Sequence, residues 1–128
     1  MGAERADRVV ALQAALLRAA SEFGSEPAFD DVRPRVLATA ASLDYVLMLA
    51  RRAAGARIPE RDADRAIHEG IVRAVDDCIV AATAIARTDA PGAAAYARDV
   101  AHALQQVLRE DSVDGDDRRF AVIVLANA

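Results

Sequence analysis

The chain of 128 residues has no lysine and no tryptophan, and its aromatic residues are two tyrosines and three phenylalanines. All 16 basic side chains are therefore arginines, and they face 20 acidic ones, for a net charge of −4. An acidic chain argues against general affinity for nucleic acid. An all-arginine set of cations reflects either genomic base composition or selection for bidentate contacts with anions.

The single cysteine, Cys78, excludes an intrachain disulfide and a cysteine metal site, and we expect it in the core. No apolar run has the length of a membrane span. The N-terminal residues 1–8 are charged and lack the apolar region of a signal peptide. The sequence therefore predicts a soluble, cytoplasmic protein that does not interact with membranes.

What the chain does have is alanine, within an apolar content of 54%. Alanine loses no side-chain entropy in a helix and lets helices approach closely. A length of 128 residues suits one domain, residues 1–128, with a core of its own.

Apolar residues recur every three or four positions and predict four helices, at about 3–23, 31–54, 60–88 and 93–110. Short connections make consecutive helices antiparallel neighbours. The segment 118–128 is ambiguous, because Val122, Ile123 and Val124 favour a strand, whereas its length and the lack of a pairing strand favour a helix. We predict an all-α fold: an antiparallel four-helix bundle with a short fifth C-terminal helix.

The second predicted helix is apolar nearly all round. Beyond its main face, Tyr45, Val46 and Leu49 form a second apolar surface. Such a helix is buried on more than one side, either at the centre of the bundle or in a dimer interface. We therefore predict these three residues as interface residues.

The pair Arg61 and His68 is the strongest candidate for chemistry. The two residues are seven positions apart, which is two helical turns, so both side chains point the same way. Arginine can hold a phosphate, and histidine can act as acid or base.

This spacing, with the polar Asp62 after the arginine, resembles the Arg-(four to six residues)-His motif of HEPN domains. The resemblance covers eight residues, and Glu69-Gly70 stand where some members have a tyrosine. It implies a metal-independent ribonuclease that places two copies of the motif in one cleft. Arg61 would orient the scissile phosphate of RNA, and His68 would lie near the attacking 2′-hydroxyl or the leaving oxygen.

The competing interpretation of His68 is a histidine at the core margin, hydrogen-bonded to Asp64 one turn before it. Asp44 has two interpretations as well. It interrupts the most apolar run, with Arg51 two turns on, and belongs either to a polar stripe that reaches solvent or to a buried carboxylate that faces a pocket or partner. Asp64, Asp44 and Arg51 are thus candidate binding residues.

We expect no metal and no cofactor. Asp99 and His102 have the carboxylate-x-x-His spacing of bundle di-iron sites, but the helical projection places both off the core face. On the third predicted helix, pairs four residues apart predict a solvated ion-pair ladder: Arg65–Glu69, Glu69–Arg73 and Arg73–Asp77.

The excess of apolar surface favours a non-enzymatic interaction module that forms a homodimer or docks on a helical partner protein. The alternative is a HEPN-like ribonuclease, for which RNA is the partner. A small-molecule pocket between alanine- and leucine-lined helices is a third interpretation, with no specific residues to support it.

Overall fold

A computed structural model describes residues 2–24, 26–55 and 60–128, with side chains at all of these positions except 2, 3, 53–55, 60, 61 and 63. This part of the chain contains five α-helices and no strand. They are α1 (Gly2–Glu22), α2 (Arg33–Gly55), α3 (Glu60–Ala86), α4 (Ala93–Glu110) and α5 (Asp116–Ala126), and a 3-10 turn at Pro27–Phe29 precedes α2. The all-α prediction is confirmed.

The first four helices form a ring in which each packs against two neighbours. α1 contacts α2 and α4, and α3 contacts the same two helices from the opposite side. α5 lies on the outside of this ring, against α4 and α3. The arrangement is the predicted four-helix bundle with a fifth helix added.

One continuous core fills the ring, and alanines supply much of it. The apolar repeat predicted for each helix faces inward. On α3 its buried residues are Ile67, Ile71, Val75, Cys78, Ala82 and Ile85. Helices with such small side chains can approach closely, which is why so few aromatic rings are needed.

Three of the aromatic rings fill one end of the bundle. Phe23 and Phe29 stack with centroids 4.0 Å apart, and the edge of Tyr96 meets both rings at 5.6 and 6.1 Å. Aromatic pairs in such geometries contribute about 0.5–1.5 kcal/mol beyond their buried area. This cluster ties the end of α1 to the start of α4.

The predicted ion-pair ladder along α3 is wrong. Among the described residues no ion pair joins two side chains of α3, and the ladder residues are exposed. Several ion pairs instead connect different helices. Arg8–Asp111 and Arg18–Asp99 link α1 with the end and the body of α4, and Arg118–Asp76 links α5 with α3. Exposed pairs four apart on a helix contribute only a few tenths of a kcal/mol, too little to hold long side chains in one geometry.

The most buried of these ion pairs involves Asp111, the residue that follows the end of α4. Its side chain is 2% exposed and accepts hydrogen bonds from Arg8 Nε at 2.9 Å and Arg8 Nη2 at 2.7 Å. The Arg5 Nε atom lies 3.5 Å from the same carboxylate. The start of α1 is thereby fixed to the end of α4.

The chain then turns through Ser112 into α5. Ser112 has φ +53°, and the Val113 N–H donates to the Leu108 carbonyl at 3.2 Å. This is the pattern of a Schellman helix end, with serine at the left-handed position that usually holds glycine. The following segment is helical, so the predicted short fifth helix is confirmed, and Val122 and Leu125 bury its inner face.

Gly70→Ala should stabilise the protein by about 1 kcal/mol, because alanine is the better helix former. A β-carbon at Gly70 would meet Val46 Cγ2 at 3.5 Å and Leu49 Cδ1 at 4.0 Å, which are ordinary contacts. Urea unfolding at fixed protein concentration measures the change, and Ala66→Gly, at an exposed position of α3, should lower stability by a similar amount. A destabilising Gly70→Ala would show that α2 and α3 lie closer than this structure has them.

Asp111→Asn should lower the free energy of unfolding by about 3 kcal/mol, because it removes the charge opposite a largely buried guanidinium. The matched control is Asp99→Asn, whose pair with Arg18 is 41% and 53% exposed and should cost at most about 1 kcal/mol. Thermal and urea unfolding measure both losses. Equal losses in the two variants would contradict a dominant role for the Arg8–Asp111 pair.

Candidate functional site

His68 does not lie at the core margin but is exposed on α3. Its neighbour Ile67 takes the inward position. Arg118 of α5 contacts α3 further along, where its Nε donates to Asp76 Oδ1 at 2.7 Å. Asp76 is about two turns beyond His68, so this contact of α5 leaves the histidine uncovered.

The expected hydrogen bond between His68 and Asp64 is also wrong. Asp64 accepts a hydrogen bond from Arg5 Nη1 at 3.3 Å, and in the part of the chain that the structure describes His68 has no hydrogen-bond partner. The imidazole is thus open to solvent. Arg61 belongs to the first turns of α3, but its side chain lies outside the described residues, so the predicted pairing with His68 stays a prediction.

Asp44 is a surface residue, as the polar-stripe interpretation holds. It is exposed and accepts a hydrogen bond from Gln13 Nε2 at 2.7 Å. The same amide nitrogen donates to the Ala40 carbonyl at 2.8 Å. Arg51 is exposed further along α2 and forms no ion pair with Asp44.

The described side chains form no cluster of three or more metal ligands among His, Cys, Asp and Glu. Asp99 accepts from Arg18 Nη2 at 2.7 Å, and His102 is exposed. Cys78 is buried, and burial raises the pKa of its thiol to about 12. It remains protonated at neutral pH and cannot serve as a nucleophile in the folded protein.

The three predicted interface residues have different positions. Val46 is buried within the chain, where it packs beside Gly70 of α3, and Leu49 is half-buried there. Tyr45 alone projects outward, with 61% of its surface exposed. The prediction of Val46 as an interface residue is therefore wrong. It belongs to the internal contact between α2 and α3, because α3 packs against this side of α2.

A different apolar surface is open, on the outer side of the α1–α2 pair. It comprises five large side chains that are 38–61% exposed: Val10, Leu17, Leu37, Tyr45 and Met48. The Gln13 bonds to Ala40 and Asp44 set the two helices in register near the middle of this surface. We call these five residues the α1–α2 face.

Exposed charged residues lie near both ends of the α1–α2 face. Arg51 and Arg52 are exposed near the end of α2. At the other end, Glu22 and Asp31 are exposed beside the turn from α1 to α2. About 30 Å of helix separates the two groups, since each residue advances the helix by about 1.5 Å.

Two features were missed by sequence reasoning. The first is the Arg8–Asp111 pair, whose partners are 103 residues apart and carry no local signal. The second is a groove between α4 and α5, of about 580 Å³, that opens beside Leu108 and Val122. The apolar run at residues 120–126 was its only hint in the sequence.

No helix in the described part of the chain is both long and apolar enough to cross a lipid bilayer. Comparison with known proteins assigns no family to the chain: no family model, no curated protein and no solved structure matches it.

Proposed function

We propose that this protein is a non-enzymatic interaction module that forms a homodimer through the α1–α2 face. The observation that supports it is the concentration of five exposed large apolar side chains on one side of two adjacent helices. A monomer gains nothing from such a surface, because apolar side chains in water cost free energy that burial in an interface would recover.

The size of the face suits a second copy of the chain. The 21 residues of α1 and the 23 of α2 are each at least about 30 Å long, and two packed helices are about 20 Å wide. Such a face approaches the roughly 800 Å² that each partner contributes to a stable interface. The outer side of α5 is also apolar but has only 11 residues, too few for an interface of that size.

A two-fold arrangement in which the α2 helices of the two copies run antiparallel lets several opposite charges meet. In a two-fold dimer each surface meets its own copy. With α2 antiparallel to its symmetry mate, Arg51 and Arg52 of one copy approach Glu22 and Asp31 of the other. The same geometry brings apolar residues in the middle of both faces together.

The dimer should have a mass of twice 13.6 kDa and should dissociate when charge is introduced at its centre. Tyr45→Glu combined with Met48→Glu places two carboxylates in the apolar face without disturbing the core, since both positions are exposed. Sedimentation equilibrium over the micromolar range should show the wild type as a dimer and the variant as a monomer.

Val80→Glu is the matched control, because Val80 is 53% exposed on α3, away from the face, and the variant should remain dimeric. Reversing Arg51 and Arg52 to Glu should weaken the dimer, and adding Glu22→Arg and Asp31→Arg should restore it. A wild-type protein that stays at 13.6 kDa at high concentration would sink the proposal.

A second candidate function, the HEPN-like ribonuclease, is favoured by one observation. His68 is exposed and has no hydrogen-bond partner among the described residues, as an acid or base that waits for substrate requires. The resemblance then assigns phosphate binding to Arg61, and a dimer would supply the second copy of the motif.

Arg61→Ala and His68→Ala should each lower RNA cleavage by about a hundredfold or more if this function holds, since general acid–base catalysis contributes that much. A labelled single-stranded RNA is the substrate, and His102→Ala, at the other exposed histidine, is the control. Absence of cleavage by the wild type, or full activity of His68→Ala, rejects the ribonuclease and leaves the interaction module untouched.

A further inference from the structure

The groove between α4 and α5 is independent of the α1–α2 face. Its apolar lining is formed by Leu108, which is half-buried, and Ile123, which is 53% exposed, and the fully buried Val122 lies beneath them. Its volume of about 580 Å³ falls within the usual range of small-molecule sites, roughly 300–1,000 Å³. Such a lining suits the apolar body of a ligand.

The rim of the groove is cationic, although the chain as a whole is acidic. Arg109 and Arg119 line it together with one carboxylate, that of Asp114. Asp114 is 92% exposed and lies 3.6 Å from Arg119 Nη2, which is a loose, solvated contact. Arg109 forms no ion pair with another described residue. With two guanidinium groups and a single loosely bound carboxylate, the rim can bind a second anion.

Ser112 adds a hydroxyl group to the same rim. Its left-handed backbone, with φ +53°, would be less strained with glycine, which adopts this conformation without steric cost. A serine at this position gives up some stability and provides a hydrogen-bond donor in the groove.

We propose that the α4–α5 groove binds a small amphiphilic carboxylate, that is, an alkyl or aryl chain that ends in a carboxylate. The apolar chain lies on Leu108 and Ile123, and the carboxylate meets Arg109 and Arg119 at the rim. Charge-assisted hydrogen bonds from guanidinium to carboxylate are the strong ones, and two arginines can hold one carboxylate from both sides. The Ser112 hydroxyl donates a further hydrogen bond.

Decanoate is the probe, and decanol, with the same chain and no charge, is its partner control. Titration calorimetry should show decanoate binding at least about tenfold more tightly than decanol, because only decanoate engages the arginines. Amide shifts in ¹⁵N-labelled protein should change along α4 and α5 and not along the α1–α2 face.

Arg109→Gln and Arg119→Gln should each weaken decanoate binding by about tenfold, with little effect on decanol. Arg98→Gln is the matched control, because Arg98 is an exposed arginine on α4 outside the groove. Ser112→Gly should raise Tm and at the same time weaken decanoate binding, two effects that a purely structural serine would not combine.

Equal affinity for decanoate and decanol would overturn the proposal, since it would show apolar adsorption without recognition of the anion. So would an equal loss of affinity in Arg98→Gln, or the absence of decanoate binding below its micellar concentration. These results are independent of whether the protein dimerises through the α1–α2 face.

Discussion

The buried ion pair between Arg8 and Asp111 determines how the rest of the bundle closes. α1 and α4 are the first and fourth helices of a ring, and no short connection holds them together. Arg8 donates two hydrogen bonds to the Asp111 carboxylate, whose side chain is 2% exposed, and so joins the start of α1 to the end of α4. Breaking such a pair leaves a buried charge unmatched, so alternative arrangements of the helices are disfavoured.

The same contact organises the turn into α5. Asp111, which Arg8 holds, is followed at once by the Schellman end, with Ser112 at the left-handed position and Val113 buried. α5 then lies against α4 and α3, and Arg118 secures it to Asp76. The pKa of Asp76 is lowered by this hydrogen bond from Arg118. The groove between α4 and α5 lies beside this turn, and Ser112 and Asp114 contribute to its lining.

Much of the fold was predictable because it depends on local periodicity. The apolar repeat of α3 places Ile67, Ile71 and Val75 on one side whatever the neighbours are, and the structure buries all three. The class of fold and the existence of five helices follow from this pattern and from the glycines and prolines between the helices. The interface residues were harder to predict. The sequence places Tyr45 and Val46 on the same apolar surface of α2, and only the position of α3 decides that Val46 is buried and Tyr45 exposed.

The candidate site shows the same division. The spacing of Arg61 and His68 is a property of the sequence, because seven residues make two turns in any α-helix. Whether His68 is exposed was decided by how the helices pack around α3, and the hydrogen bond that Asp64 accepts comes from Arg5 of α1.

The sequence by itself determined the set of helices and their inward faces. Helix geometry is local, and burial of apolar side chains is favourable whatever the neighbouring helices are. What only the tertiary structure decided is which charged groups meet and which apolar residues stay outside. Those outcomes depend on contacts between residues far apart in the chain, as Arg8 and Asp111 are, and no local pattern encodes them.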